Sequence, residues 1–250
     1  MTRFCSDATI LNVFKTDITT SKAEQTRSAI LAAALQTFRT RGFEAATMRE
    51  IADAAGMALG AAYYYFAGKE AIVLAYYQQV QDEHNRLLQT NPAASAPDLK
   101  DRLKFALQSK IDILQNDRLL LGALFRFVGD PSHSLSVFGS ATASIRNQSL
   151  ASFDRAIGRE KLPAETRQAL PAALWALHLA ILLFFIYDQS PNQQRTRRLI
   201  EGSVDIVARL VKLASNPLLK PLRGKLFGLI RELDLLPAPV AQPLTAGVTE

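Results

Sequence analysis

The stretch that decides the fold is Thr26–Tyr77, TRSAILAAALQTFRTRGFEAATMREIADAAGMALGAAYYYFAGKEAIVLAYY. It predicts three short helices joined by tight turns and a fourth helix that begins at Gly68-Lys69. In its middle, Ala52 and Gly56 have the A-x-x-x-G spacing of a helix-turn-helix. That motif needs a small residue where two helices cross and a glycine at the turn. The stretch therefore indicates DNA binding.

Local signals set the bounds of these helices. The first is predicted over Lys22–Arg41, with an apolar stripe of Ile30, Ala34 and Phe38. Gly42 ends it, and Phe43 is expected to fold back onto Phe38. Thr47 and Glu50 form the T-x-x-E capping box that opens the second helix. The third helix, about Leu59–Phe66, begins with the small residues Gly60, Ala61 and Ala62, which allow its start to lie against base edges.

The segments FRTRGFEAATMREIADAAGM and GAAYYYFAGKEAI resemble the TetR family of bacterial one-component repressors, named for the tetracycline repressor. The family usually reads close to G-x-L-Y-x-H-F-x-x-K-E-x-L over the second segment. The resemblance covers roughly a fifth of the chain. It implies an all-α protein with an N-terminal three-helix helix-turn-helix DNA-binding domain and a C-terminal helical ligand-binding and dimerisation domain.

The resemblance also implies roles for particular residues in this sequence. Matched position by position, the expected DNA contacts are Thr47, Arg49, Leu59, Gly60, Ala61, Tyr63, Tyr64, Tyr65 and Lys69. Lys69 matches a phosphate contact at the start of the fourth helix, where the helix dipole favours an anion. Two positions depart from the family. Ala58 stands where a Ser or Thr cap is usual, and Tyr65 replaces a common His.

Structural alternatives to these roles stay open. Tyr63, Tyr64 and Tyr65 occupy successive positions, so at least one ring is expected in the core, and Tyr63 is the first candidate for partial burial. Lys69 is alternatively a solvated lysine at a helix start, and Arg49 a plain surface residue. Net charge does not locate the site either, because the chain carries +6 while residues 22–70 contribute only +1.

The rest of the chain predicts further helices and no strand. Their expected ranges are about 69–89, 98–114, 118–128, 133–157, 163–188, 191–213 and 218–236. We divide the chain into a flexible N-terminal arm (1–21), the DNA-binding domain (22–68), the regulatory and dimerisation domain (69–213), and an extra C-terminal helix with a loose tail (214–250). Cys5 is the single cysteine, which fits a reducing cytosol, and neither a metal-ligand spacing nor a signal peptide is evident. A cytoplasmic protein without a cofactor is expected.

The resemblance implies a homodimer that binds a palindromic double-stranded DNA operator and responds to a small-molecule effector. The dimer is expected through the helices at about 164–188 and 193–213. A pocket between helices needs apolar walls and a few polar groups. Its candidate lining residues are Phe125, Arg126, Phe127, Phe138, Trp175, His178 and Tyr187. For each of them, ordinary core packing is the alternative.

The sequence also admits other functions. The apolar run Ala172–Tyr187 is shorter than the ~20 residues that span a bilayer and contains His178, so a buried bundle helix is favoured. A membrane-surface or architectural protein that uses the basic C-terminal helix is one alternative. A helical enzyme is a weaker one, because the sequence lacks the common catalytic motifs and its three histidines are far apart.

Overall fold

The computed structural model describes residues 21–158, 160–214, and 216, 218, 220–221, 224–225, 228 and 232. Within them the chain forms α1 (Lys22–Arg41), α2 (Met48–Ala54), α3 (Leu59–Tyr65), α4 (Lys69–Thr90), α5 (Leu99–Leu114), α6 (Arg118–Phe125), α7 (Ala143–Ile157), α8 (Ala164–Tyr187) and α9 (Gln194–Ala214). Short 3₁₀ turns lie at Pro92–Ser95, Gln115–Asp117 and Pro191–Gln193. No strand occurs in this part of the chain, and the all-α prediction is confirmed.

The caps of the first two helices follow from their sequence. Thr47 and Glu50 form the expected capping box, and Ser21 and Glu24 form a second one at the start of α1. Gly42 and Gly56 have φ of +83° and +67°, the left-handed region that glycine reaches without strain. Beyond Gly42, the Phe43 ring packs edge-on against Phe38 with centroids 5.3 Å apart. The turns therefore place α1, α2 and α3 as the sequence predicts.

The N-terminal helices share one core. Helix α1 packs against α2 and α4, and α2 packs against α3. The side chains buried between them include Ile30, Ala34, Phe38, Ile51, Ala52, Ala62 and Phe66. Because α2 and α3 are only seven residues each, this shared core rather than intrinsic helix stability holds them in place.

The C-terminal helices surround α5. This helix packs against α4, α7, α8 and α9, and it buries Leu103, Leu107 and Ile111 on its inner face. Helix α8 continues through Pro171 and packs against α6, α7 and α9. By length and composition α8 is apolar enough to cross a membrane, with a mean hydropathy of 2.3, but core helices of soluble proteins pass the same test.

The predicted helix at 133–157 is wrong in its first ten residues, because α7 begins only at Ala143. Side chains hold the preceding segment in turns. Ser136 Oγ donates to the Val128 carbonyl at 2.9 Å, and Arg146 donates to the Val137 carbonyl at 2.7 Å. These contacts give polar groups partners outside a helix. Helix α6 likewise ends at Phe125 instead of 128. The arm at 1–20 and most of the predicted helix at 218–236 lie outside the described residues.

A buried carboxylate joins α8 to α9. Asp188, at the end of α8, accepts hydrogen bonds from the backbone N–H and hydroxyl of both Ser190 and Thr196, at 2.7 to 2.9 Å. Although burial opposes ionisation, these four donors lower the pKa of Asp188 below its ordinary value. The network fixes the start of α9 relative to the end of α8.

Candidate nucleic-acid interface and effector cavity

The outward face of α3 is small at its start and aromatic further along. Gly60 is exposed, and a Cβ atom built on it would meet nothing within 4 Å. Tyr64 is 83% exposed and Tyr63 is 50% exposed. Ala61, which lies between Gly60 and Tyr63 in sequence, is half-buried. This face is available to a partner molecule.

Tyr65 and Leu59 are partly buried and pack against the hydrophobic core. Tyr65 is half-buried and packs against the core, with its ring edge-on to Tyr64 at a centroid distance of 5.1 Å. The expectation that Tyr63 is the most buried ring was wrong. Ala62 points into the core, and residues three away from it, Leu59 and Tyr65, share its side of the helix. Tyr63 lies about a quarter turn away.

Thr47 and Arg49 lie at the exposed start of α2. The Thr47 hydroxyl donates to Glu50 at 3.1 Å and accepts from the Glu50 backbone N–H at 3.2 Å. The hydrogen bond from the Thr47 backbone N–H is the main cause that lowers the pKa of Glu50, which also pairs with Arg41. Arg49 is exposed and forms no hydrogen bond or ion pair with another described residue. It is therefore free to reach an anion.

Lys69 has a structural role within the free protein. Its Nζ donates to the carbonyl oxygens of Phe43 at 2.8 Å and Glu44 at 3.0 Å, and it lies 4.9 Å from the centroid of the Phe43 ring. These contacts tie the start of α4 to the loop between α1 and α2. Since an ammonium has three N–H donors, one remains for a phosphate.

A cavity of about 130 Å³ lies among α4, α5, α6, α7 and α8. Most of its wall is apolar, and the residues that line it are Tyr76, Tyr77, Val80, Gln81, Lys110, Leu114, Leu121, Leu124, Phe125, Val128, Val137, Thr142, Ile145, Arg146, Ser149, Trp175, His178, Leu179, Leu182 and Ile186. Of the sequence-predicted lining residues, Phe125, Trp175 and His178 are among them. The arrangement suits a small amphipathic molecule.

The other predicted lining residues lie elsewhere. Arg126 is exposed and pairs with Glu44 of the N-terminal domain. Phe127 packs edge-on against Phe43 and stacks on His133. Phe138 meets Trp175 edge-on at 5.6 Å but is 52% exposed, and Tyr187 is 70% exposed. None of these four residues is among those that line the cavity.

Helical periodicity explains which residues of α8 reach the cavity. Trp175, His178, Leu179, Leu182 and Ile186 recur at three- and four-residue intervals and form one face. Tyr187 falls about 100° from Ile186, so it belongs to another face. Continuing this spacing from Trp175 in the sequence would have found the lining residues and excluded Tyr187.

The polar groups on the wall that sequence reasoning missed include Lys110, Gln81 and Arg146. Lys110 is 4% exposed, and its Nζ donates to Gln81 Oε1 at 3.0 Å. Burial lowers the pKa of Lys110 to about 7. Its position matches the buried stripe of α5, since Leu103 and Leu107 precede it by seven and three residues. In the sequence, the position of this lysine on the apolar stripe is the feature that could have predicted its burial.

Two histidines lie close to this lysine. His178 is 6% exposed, and neither of its ring nitrogens has a hydrogen-bond partner within the described residues. Burial and the nearby Lys110 lower the pKa of His178, so its ring is neutral. His84 Nε2 lies 2.9 Å from the Ala106 carbonyl, and burial and Lys110 lower the pKa of His84 to about 3. Lys110 and the neutral His178 thus line the cavity, and the neutral His84 lies near Lys110 outside the lining.

A buried hydrogen-bond chain connects the cavity with the N-terminal domain. The Tyr76 ring lines the cavity, and its hydroxyl donates to Asp117 at 2.8 Å. The other oxygen of Asp117 accepts from Arg39 Nε of α1 at 2.6 Å. Burial, with the Asp117 charge, raises the pKa of Tyr76, so the hydroxyl keeps its proton. A displacement of Tyr76 therefore acts on α1 through one carboxylate.

The fold and this geometry define a helix-turn-helix DNA-binding protein with a helical regulatory domain. Comparison with known proteins gives the family. Residues 30–76 match the family model described as bacterial regulatory proteins of the tetR family, and residues 102–224 match the tetracyclin repressor-like C-terminal domain.

Individual relatives agree. The transcriptional activator FasR of Mycolicibacterium smegmatis is 33% identical over 72% of this chain and 80% of its own length. The transcriptional regulator TtgR of Pseudomonas putida is 27% identical over 78% of this chain and 90% of its own. The chain belongs to the TetR family of transcriptional regulators, which are DNA-binding proteins responsive to ligands and not enzymes.

Solved structures show the same fold. A TetR regulator from Nitrosomonas europaea superposes with a TM-score of 0.60 at 16% identity, over 73% of this chain and 97% of its own. NalD, described as the secondary repressor of the MexAB-OprM multidrug efflux pump in Pseudomonas aeruginosa, superposes with a TM-score of 0.54 at 21% identity, over 73% and 96%. At 16% and 21% identity, these similarities show a shared fold and do not establish a function.

Proposed function

We propose that the protein is a cytoplasmic, homodimeric repressor that binds a palindromic operator and is released by a small, largely apolar effector. The observation that carries the proposal is the exposed face of α3 together with two uncovered apolar faces on α8 and α9. The first is a surface for DNA, and the other two are a surface for a second copy of the chain. In this proposal, residues 22–68 form the domain that binds DNA, and residues 69–213 form the domain that binds the effector and the second copy.

The proposed DNA surface consists of Thr47, Arg49, Leu59, Gly60, Ala61, Tyr63, Tyr64, Tyr65 and Lys69. Within it, the exposed Arg49 and the free N–H of Lys69 supply positive charge for phosphates. Tyr63 and Tyr64 supply polar hydroxyls and ring faces for base edges or backbone. Gly60 supplies no side chain, which lets the start of α3 approach the floor of the major groove.

The exposed side of α8 is apolar along its length. Ala173, Ala176 and Ala180 are exposed, and Leu183, Phe184 and Tyr187 continue the same face at 40%, 41% and 70% exposure. Only 28% of the most apolar part of this helix is buried within one chain. Small residues along such a face allow a second helix to approach closely. A second copy of α8 would cover it.

Helix α9 carries two apolar stripes, and one chain buries only one of them. Ile200, Val204 and Val211 are buried. Leu199, Ile206, Leu210 and Leu213 are 37 to 60% exposed and recur at seven-, four- and three-residue intervals. Because α9 follows α8 through the Asp188 network, both uncovered faces belong to one unit. A four-helix contact between two copies would bury them and space the two α3 helices for successive major grooves, about 34–36 Å apart.

Release by the effector follows from linkage. A ligand that prefers a conformer with wrongly spaced α3 helices lowers operator affinity by its differential affinity for the two conformers. Helix α4 is the proposed lever, because its residues line the cavity while its start is anchored to the helix-turn-helix by Lys69. Repression is proposed because NalD, a relative in fold, is described as a repressor.

Replacing Gly60 by Leu tests the DNA surface. In the free protein the new side chain has room, so the midpoint of thermal unfolding is expected to stay within about 2 °C of the starting protein. Operator protection in a footprint on genomic DNA fragments is expected to disappear, because the side chain occupies the space of base edges. Ala151→Leu, which adds an exposed leucine on α7, is the matched control and retains protection. Protection by Gly60→Leu at the starting affinity refutes this role of α3.

Replacing Leu210 by Glu tests the dimer. Leu210 is 56% exposed in one chain, so the helix tolerates the charge, whereas a dimer contact does not. Light scattering is expected to show a dimer for the starting protein, a monomer for Leu210→Glu, and a dimer for the control Leu119→Glu, whose leucine is 83% exposed on α6. A starting protein that stays monomeric refutes the proposed assembly.

A further inference from the structure

The cavity wall contains a buried amine that has no acidic partner. Lys110 is buried, and its Nζ has one hydrogen-bond partner, Gln81, which leaves two N–H donors without a described partner. No Asp or Glu occurs among the residues that line this cavity. Asp117 bonds to the hydroxyl of the lining residue Tyr76, but its oxygens are already shared between Tyr76 and Arg39. Buried charges in proteins are normally paired.

A second, independent observation points to the same missing partner. His178 lies on the cavity wall and is buried, yet both of its ring nitrogens lack a hydrogen-bond partner in the described structure. A buried polar atom without a partner is costly, and native proteins usually supply one from the chain, from water or from a ligand. Lys110 and His178 are close enough to influence each other electrostatically. An acceptor placed between them would accept hydrogen bonds from the Lys110 ammonium and from the single N–H of the neutral His178 ring.

We propose that the effector is a small amphipathic carboxylate, whose anionic group accepts hydrogen bonds from Lys110 and His178 and whose apolar body lies against Trp175, Leu121 and Leu182. This inference rests on the proposed function, since it names the ligand class of the regulatory cavity. A cavity of about 130 Å³ is close in size to one that holds benzene, so it accommodates roughly six to eight non-hydrogen atoms, which matches a monocarboxylate with a short chain or a small ring.

The test compares carboxylates with their neutral amides. Hexanoate and cyclopentanecarboxylate are titrated beside hexanamide and cyclopentanecarboxamide, and binding is followed by fluorescence of Trp175, the single tryptophan of the chain. At least one carboxylate is expected to bind about tenfold or more tightly than its amide, because only the anion pairs with the ammonium. Equal affinities of acid and amide, or no binding of either carboxylate at millimolar concentration, overturn the proposal.

Two variants assign the preference to Lys110. Lys110→Met keeps the length of the side chain and removes its charge, and it is expected to reduce the acid-to-amide ratio to about one. Lys104→Met, on the same helix but at its surface, is the matched control and is expected to keep the ratio. A preference that survives Lys110→Met overturns the assignment. Operator protection by the ligand-free protein is measured separately, so failure of the ligand class and failure of the proposed function are distinguishable.

Discussion

Replacing Lys110 by Met is expected to stabilise the ligand-free protein at neutral pH. Burial lowers the pKa of this lysine from 10.5 to about 7, which corresponds to a cost on the order of 5 kcal/mol at about 1.4 kcal/mol per pH unit. Met removes that cost but leaves the Gln81 carbonyl without its donor, a loss of about 1–2 kcal/mol. The net gain is about 3 kcal/mol, or a rise of about 6–12 °C in Tm.

The pH dependence gives the sharper test. Between about pH 7 and 10.5 the unfolded chain binds a proton at Lys110 that the folded chain has released, so the stability of the starting protein rises with pH. Below about pH 7 both states are protonated and the cost is complete. The Met variant lacks this contribution, and its advantage is therefore expected to shrink as the pH rises from about 7 to 10.

Lys110 is the group that titrates in this window. The other ionisable side chains around it are Tyr76, Tyr77 and His84 on α4, Arg146 on α7 and His178 on α8. Burial keeps both histidines neutral above pH 7 by lowering their pKa values, and it raises the pKa of both tyrosines.

The assay is urea unfolding followed by circular dichroism at about pH 7 and about pH 9.5. The protein concentration is held constant, because a dimer has a concentration-dependent midpoint. Lys104→Met serves as the control that removes a surface charge from the same helix. A Met variant less stable than the starting protein at pH 7, or an advantage that does not change with pH, would refute the assignment of an uncompensated charge to Lys110.

Two further predictions concern the DNA-binding domain. Lys69→Ala removes both carbonyl contacts and a phosphate contact, so we expect a loss of about 1 kcal/mol in stability, weaker binding to all DNA sequences, and a salt slope lower by about one in gel-shift titrations; an unchanged slope means that Lys69 is structural only. Ala58→Ser supplies the side-chain cap that α3 lacks, so a rise of about 2 °C in Tm is expected in thermal melts. Ala58→Val, which cannot accept a hydrogen bond, gives no rise, and equal melting of the two variants argues against capping.

The N-terminal helices could be predicted because their signals are local. The Thr47–Glu50 capping box and the left-handed Gly42 depend on residues only a few positions apart. The first predicts the start of a helix, and the second predicts the end of one. The start of α7 could not be predicted in this way. Ser136 and Arg146 bind carbonyl groups eight or nine residues away, and nothing in the local spacing distinguishes those bonds from exposed polar side chains on a helix.

The candidate site was only partly visible in the sequence for a related reason. Residue type alone points to aromatic side chains as cavity walls. It correctly identifies Phe125 and Trp175, but it also points to Phe138 and Tyr187, which are 52% and 70% exposed. Lys110 was missed because a lysine is ordinarily a surface residue. Only the packing of α4, α7 and α8 against α5 shows that the Lys110 side chain is buried.

The missing counter-charge also suggests how a ligand could act on DNA binding at a distance. A carboxylate at Lys110 would bind most strongly to the conformer that closes the cavity around it, because its interaction with the ammonium strengthens as water is excluded. Closure moves the cavity walls, and Tyr76 is one of them. Asp117 bonds to both Tyr76 and Arg39, so Tyr76 cannot shift without either breaking a buried hydrogen bond or moving α1. Since the buried hydrogen bond is costly to lose, movement of α1 is the expected response, and it carries the helix-turn-helix away from its operator spacing.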